Sequence, residues 1–163
     1  MRLILTEYIN SLKEDGELDQ LIQEILIAHS ISVFSKPEKG RQRGVDIYAV
    51  GPDFEDKNIE KVFLIAVKKG DLDRRTWNTE QNSVYQSLNE IKDVFIRNNL
   101  AAQHKSLPIK IVVAFNGILK TTVQQDWRGY EENNPLYEYK LWTDGWLLKQ
   151  FEEKLRYTMH RNC

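Results

Sequence analysis

Cysteine is nearly absent: Cys163, the last of 163 residues, is the only one. An internal disulfide is excluded, and with His29, His104 and His160 at no shared ligand spacing a zinc site is not expected. Long apolar runs are missing as well. Charged residues make up 29% of the chain and interrupt every hydrophobic segment, so nothing approaches the run of about 18 apolar residues that spans a bilayer. No charged-then-apolar leader with a cleavage site is visible. The expectation is a protein of the reducing cytoplasm with no membrane partner. An excess of one charge is also lacking: 23 Lys and Arg against 24 Asp and Glu leave a net charge of -1. No overall field draws a polyanion, so any nucleic-acid binding must come from local basic patches. A glycine-rich phosphate loop, a serine nucleophile elbow, internal repeats and low-complexity tracts are all missing.

What remains is the composition of one ordinary globular domain, 41% hydrophobic over 163 residues and too short for a second full domain. One domain spanning 1–163 is expected, alone or as a fragment of a longer multidomain protein. Leu5, Ile9 and Leu12 recur at helical spacing within residues 2–13, and Gly16 punctuates the chain. Leu18, Leu21, Ile22, Ile25 and Leu26 then mark an amphipathic helix. From Ile31 the period changes to two, and ISVFSKP and VDIYAV, joined by the basic turn EKGRQRG, read as a hairpin closed by Gly51-Pro52. VFLIAV is continuously apolar, as a central strand covered on both faces is. Within 78–98, Val84, Leu88, Ile91 and Phe95 share one helix face, with Asn78 and Gln81 as its expected N-terminal cap. IKIVVAF (109–115) is a second buried strand. A weaker helix near 120–132, a strand YEYKLW (137–142) and a final helix over 144–159 follow. The order predicts an α/β fold in which an antiparallel meander joins a parallel crossover unit in one mixed sheet flanked by helices.

In this frame GVDIYAV opens a strand on an acid, and FLIAVKKGD ends a central strand on a lysine. Over roughly residues 17–116 the chain resembles the PD-(D/E)XK, or restriction-endonuclease-like, nucleases, with the Mrr-like and anti-phage defence nucleases nearest in pattern. The resemblance implies an α-β-β-β-α-β core with an additional C-terminal β-α, and an endonuclease that hydrolyses phosphodiester bonds of DNA. The alternative it leaves is an inactive nuclease-like module that binds nucleic acid or other subunits. DNA is the expected partner, RNA the second choice. A homo-oligomer is expected where two strands are to be cut, because one site cuts one strand at a time.

Phosphodiester hydrolysis needs an activated water and neutralisation of developing charge, which Mg²⁺, with Mn²⁺ as a substitute, and a lysine can supply. Mg²⁺ takes a few oxygen ligands and keeps waters, so Asp46 and the carbonyl of Val67 are the expected ligands. Lys68 is placed to orient or deprotonate the attacking water. By resemblance, Glu24 points from the second helix toward the same ion, and Gln86 steadies the lysine or a water; a plain solvated helix acid and an exposed polar face are the competing readings. The departure is Ala66. The family pattern has Glu, Asp or Gln two residues before the lysine, and here Ala66-Val67-Lys68 offers no ligand, so either Glu24 or Asp71 replaces it or the domain is disarmed. Lys36, Lys39, Arg41 and Arg43 form one basic patch, and Lys69, Arg74 and Arg75 beside Lys68 form another, both candidates for the nucleic-acid backbone. Trp77, next to the second patch, is able to stack on a base.

Overall fold

The computed structural model describes residues 1–34 and 43–161; Lys36, Lys39 and Arg41 lie outside them. The longest strand is β3, Ile59–Lys68, paired antiparallel with β2 (Ile47–Asp53) and parallel with β4 (Ile109–Phe115). β1, Ser32–Val33, adds antiparallel to β2, and β5, Glu138–Trp142, adds parallel to β4. One mixed sheet in the order β1-β2-β3-β4-β5 results.

Strand alternation sends the β3 side chains into two separate cores. Phe63, Ile65 and Val67 face a layer formed by α1 (Arg2–Ser11), α2 (Asp19–Ala28) and α6 (Asp144–Arg161), where Ile9, Ile22, Ile25 and Leu147 are buried. Val62 and Leu64 face the opposite layer. There α3 (Val84–Glu90) runs on through a π-type stretch (Ile91–Phe95) into α4 (Ile96–Asn98), beside α5 (Thr121–Asn133). The stripe Val84, Leu88, Ile91 and Phe95 is buried on this side, each large side chain contributing about 1.5–3 kcal/mol of burial free energy. Coverage on both faces is why VFLIAV carries no alternation. No helix among the described residues is long and apolar enough to cross a membrane.

Three local expectations are corrected. The β2 strand does not close at Gly51-Pro52 but continues to Asp53. Tyr48, an even position of β2, bonds toward β1 through its carbonyl, so Pro52 aims its N–H-less nitrogen at the side where β1 has already ended and costs no ladder bond. The α3 cap is Ser83, which accepts from the Gln86 amide, whereas Asn78 belongs to a separate turn, Arg75–Thr79. The first helix ends at Ser11, and the turn Glu14–Leu18 leads into α2.

Candidate active site

The C-terminal end of β3 collects the side chains that the sequence singles out. Asp46 stands one residue before β2, and its amide donates to the Ile65 carbonyl at 2.8 Å. The regular register ends at Ile47 and Ile65, and Asp46 sits where the alternation breaks, with Val45 buried on the α3 side and Ile47 on the other. The Asp46 carboxylate turns onto the strand and accepts from the Val67 N–H at 2.7 Å. Gly44 makes this approach possible: its φ is +86°, and a Cβ there would lie 2.4 Å from the Ser87 carbonyl oxygen of α3. The chain entering β2 therefore runs directly against the helix backbone, which only glycine permits.

Ala66 and Lys68 share the α3-facing side of β3. Ala66 is fully buried. Lys68 is buried as well, and its ammonium donates to the carbonyl of Asn82. Asn82 is held in the left-handed region at φ +61°, and its N–H donates to Gln86 Oε1 at 3.2 Å. Gln86 reaches the lysine through this turn, holding the N–H of the residue whose carbonyl takes the ammonium. Its amide also donates to Glu90 at 3.2 Å.

Glu24 does not join this group. It lies on the exposed side of α2, where Lys154 of α6 takes its carboxylate at 2.7 Å. The buried stripe of α2, Leu21, Ile22, Ile25 and Leu26, faces the sheet and rotates Glu24 away from it. Lys69 is exposed, and its ammonium is held at the end of α1: it donates to the carbonyls of Ser11 at 3.1 Å and Leu12 at 3.0 Å, the negative end of that helix. Arg43, Arg74 and Arg75 are exposed, Arg75 making a long contact to Glu80 at 3.6 Å. Asp71, the other stand-in considered for the acid at 66, accepts from the Ile118 amide at 2.9 Å and faces Lys120 at 3.5 Å, which ties its loop to the chain after β4.

One acid here was not expected from sequence. Glu14, in the turn before α2, accepts from the Lys69 N–H at 3.2 Å. Odd positions of β3 turn their peptide groups toward β2, as the Ile65 carbonyl does, while the Val62 N–H goes to Pro108 on the β4 side. Val67 and Lys69 therefore present their N–H groups along one edge, two strand residues or about 7 Å apart, with the Val67 carbonyl on the same edge between them. Asp46 and Glu14 thus each place a carboxylate on that edge, at the Val67 and Lys69 amides, and with the Val67 carbonyl they are oxygen ligands of the kind Mg²⁺ takes. Asp19, five residues after Glu14, is a further buried acid, and its Oδ1 accepts from the Gln20 amide at 2.8 Å.

The opposite end of the sheet carries a second charged group. Asp53, Asp56 and Glu138 have carboxylate oxygens within 4.8 Å of one another, close enough to hold a metal ion. The Lys61 ammonium is bonded to all three, at 2.9 Å to Asp53, 2.7 Å to Asp56 and 2.9 Å to Glu138. Lys110 adds a bond to Asp53 at 2.9 Å. Burial opposes ionisation of Asp53, but the Lys110 and Lys61 bonds outweigh it and hold the carboxyl below its ordinary range. Burial likewise opposes charge on Lys61, and its three carboxylate partners overcome that and raise it above the ordinary lysine range. With lysine already neutralising the acids, this end serves cohesion. Ligand sites in open α/β sheets lie outside the carboxyl ends of the strands, which is the Asp46 and Lys68 end.

None of the family models, curated proteins or solved structures compared with this chain matches it.

Proposed function

We propose that the chain is a metal-dependent nuclease domain of the restriction-endonuclease-like kind, hydrolysing phosphodiester bonds of DNA as part of a restriction or anti-phage defence system. One observation carries the reading: the Asp46 carboxylate rests on the Val67 amide, one residue before the buried Lys68, at the carboxyl end of β3, the end outside which open α/β sheets take their ligands. In this reading Asp46, the Val67 carbonyl and Glu14 hold the ion. Mg²⁺ bound there supplies charge neutralisation at the phosphate and a lowered pKa for water. Lys68 faces the same phosphate, and its ammonium stabilises the negative charge that grows on the non-bridging oxygens. Gln86 and Asn82 keep Lys68 in one orientation, and Arg43, Arg74 and Arg75 bind the flanking backbone.

A second reading has its own observation. Ala66, two residues before Lys68 on β3, is fully buried and contributes no oxygen, which favours a nucleic-acid-binding module without turnover. Plasmid nicking with Mg²⁺ or Mn²⁺ separates the two. Cutting by the parent that disappears in Asp46→Ala and Lys68→Ala supports the nuclease; uncut plasmid with retained binding supports the module.

A further inference from the structure

Between α3 and α5 the structure leaves an open cleft of about 500 Å³. Trp77, only 5% exposed, forms its floor, and Tyr85 and Tyr130 stand on either side. The Tyr85 ring centroid lies 5.8 Å from each of the other two, with steep interplanar angles. Tyr85 is 41% exposed, so part of its ring is open to a flat partner. The Tyr130 hydroxyl donates to Asn89 Oδ1 at 2.9 Å, which fixes that side chain and leaves its Nδ2 to donate elsewhere. Gln125 adds a second amide at the rim.

A glycine points to what the cleft is for. Gly129 lies inside α5, where glycine is among the poorest helix formers. No packing requires it: a Cβ at that position would meet nothing within 4 Å. Yet Gly129 lines the cleft, and the missing side chain leaves room for a group to lie against the helix.

We propose that this cleft holds the unstacked base of a nucleotide next to the phosphate at the Asp46 and Lys68 end; the inference rests on the nuclease reading above. Aromatic faces accept any base by stacking, and a fixed amide offers the donor and acceptor pair that base edges match. The connection to the phosphate is short. Lys68 is bonded to Asn82, and Tyr85 lies three residues further, in the first turn of α3. Bases in an intact duplex are stacked and paired, so the strand taken here is single-stranded or locally unpaired.

Gly129→Leu tests this, because leucine fills the cleft while improving the helix. Affinities are measured by fluorescence anisotropy with short single-stranded DNA, single-stranded RNA and duplex DNA of the same sequence, alongside thermal melting. The parent should prefer a single strand over duplex, and Gly129→Leu should lose about tenfold of single-strand affinity, the equivalent of one base stack, with an unchanged or higher melting temperature. Tyr85→Ala, the removal of a half-exposed ring, should lose a similar factor and decides the matter if Gly129→Leu melts early. The two single strands tell DNA from RNA. Single-strand binding equal to the parent's in both variants, or a parent preference for duplex, overturns the pocket. Asp46→Ala keeps the readings apart: it should abolish nicking and leave the Gly129→Leu effect intact. A lost affinity in Gly129→Leu with undiminished nicking in Asp46→Ala leaves the pocket standing and removes the nuclease site.

Discussion

Gly44 and Ser87 touch backbone to backbone, so closely that a Cβ on Gly44 would come within 2.4 Å of the Ser87 carbonyl oxygen. This contact fixes how the chain enters β2 relative to α3, and so where Asp46 and the Asn82 turn stand with respect to each other. Gly44→Ala adds a methyl group at a positive φ and against a helix carbonyl. It should cost about 1–3 kcal/mol of stability, seen as a lower urea midpoint. It should also reduce nicking more than that loss explains at a temperature where the variant is fully folded.

Gln86 gives a narrower prediction. It bonds the Asn82 N–H, whose residue carries the carbonyl that Lys68 occupies, and it is exposed. Gln86→Ala should change stability by less than about 1 kcal/mol, the net worth of one partly solvated hydrogen bond. Turnover should fall about tenfold with KM nearly unchanged, since a wandering lysine weakens charge stabilisation in the transition state and not binding. Gln86→Glu, which keeps an acceptor for the Asn82 N–H, should restore most of the rate. A rise in KM alone would assign Gln86 to substrate contact.

The parts of this picture that the sequence displays are those with a period. The α2 stripe, the α3 stripe and the apolar VFLIAV strand each follow from the spacing of side chains along one element, and Asp46 and Lys68 stand at strand ends that any pairing of those strands brings together. What the sequence hides depends on contacts between distant elements. Glu24 has the right residue type on the right helix, yet helix rotation hands it to Lys154, 130 residues away. Glu14 lies in a turn with no period, and nothing in the linear pattern relates it to Lys69, 55 residues on. Lys61, Lys110, Asp53 and Glu138 read as scattered strand charges, and only the pairing of four strands, β2 antiparallel to β3 and β3, β4 and β5 parallel, assembles them.

That assembly has a pH signature. Asp53 is held below its ordinary 3.8, so its contribution to stability is present above that value and is lost as pH falls through the lower, folded one. Lys61 is held above its ordinary 10.5, so its contribution is complete below 10.5 and is lost as pH rises through the folded value. Melting temperature should therefore be flat from neutral into the alkaline range, with the acid-side loss occurring below pH 3.8. Lys61→Ala leaves buried carboxylates short of a cation and should cost about 3–5 kcal/mol. Its destabilisation relative to the parent should shrink as the acids become protonated, as melting curves across pH will show.

Nucleic-acid binding should depend steeply on salt. Arg43, Arg74 and Arg75 are exposed, and each phosphate they neutralise releases condensed counterions. Arg74→Ala combined with Arg75→Ala should lower the slope of log affinity against log salt by about 1–2 and weaken all sequences alike. Lys69→Ala should alter that slope little, because its ammonium is already bonded to the Ser11 and Leu12 carbonyls. An equal effect of Lys69→Ala would mean that the lysine leaves α1 to meet the phosphate.

Ala66 separates the active from the inactive reading most directly. Its methyl group is fully buried, one residue before the Val67 amide that bonds Asp46 and two residues before Lys68 on the same side of β3. A glutamate there would add a carboxylate between the two. In the parent the ion depends on Asp46, the Val67 carbonyl and Glu14, a set with one acid brought in from a turn, so cutting with Mg²⁺ should be slow. Ala66→Glu should raise nicking by about two to three orders of magnitude, the size of effect that one charge-stabilising group has on such a step. Ala66→Glu with Lys68→Ala should lose that gain. The role of Glu14 is read from the same time course: Glu14→Gln should abolish the parent's residual cutting while leaving Ala66→Glu partly active, because the new acid takes over its place. Calorimetric Mn²⁺ binding provides a readout independent of turnover, and it should tighten in Ala66→Glu and weaken in Asp46→Ala. Vigorous cutting by the parent that Asp46→Ala removes and Glu14→Gln spares would show that another acid, with the buried Asp19 the first to replace, completes the site.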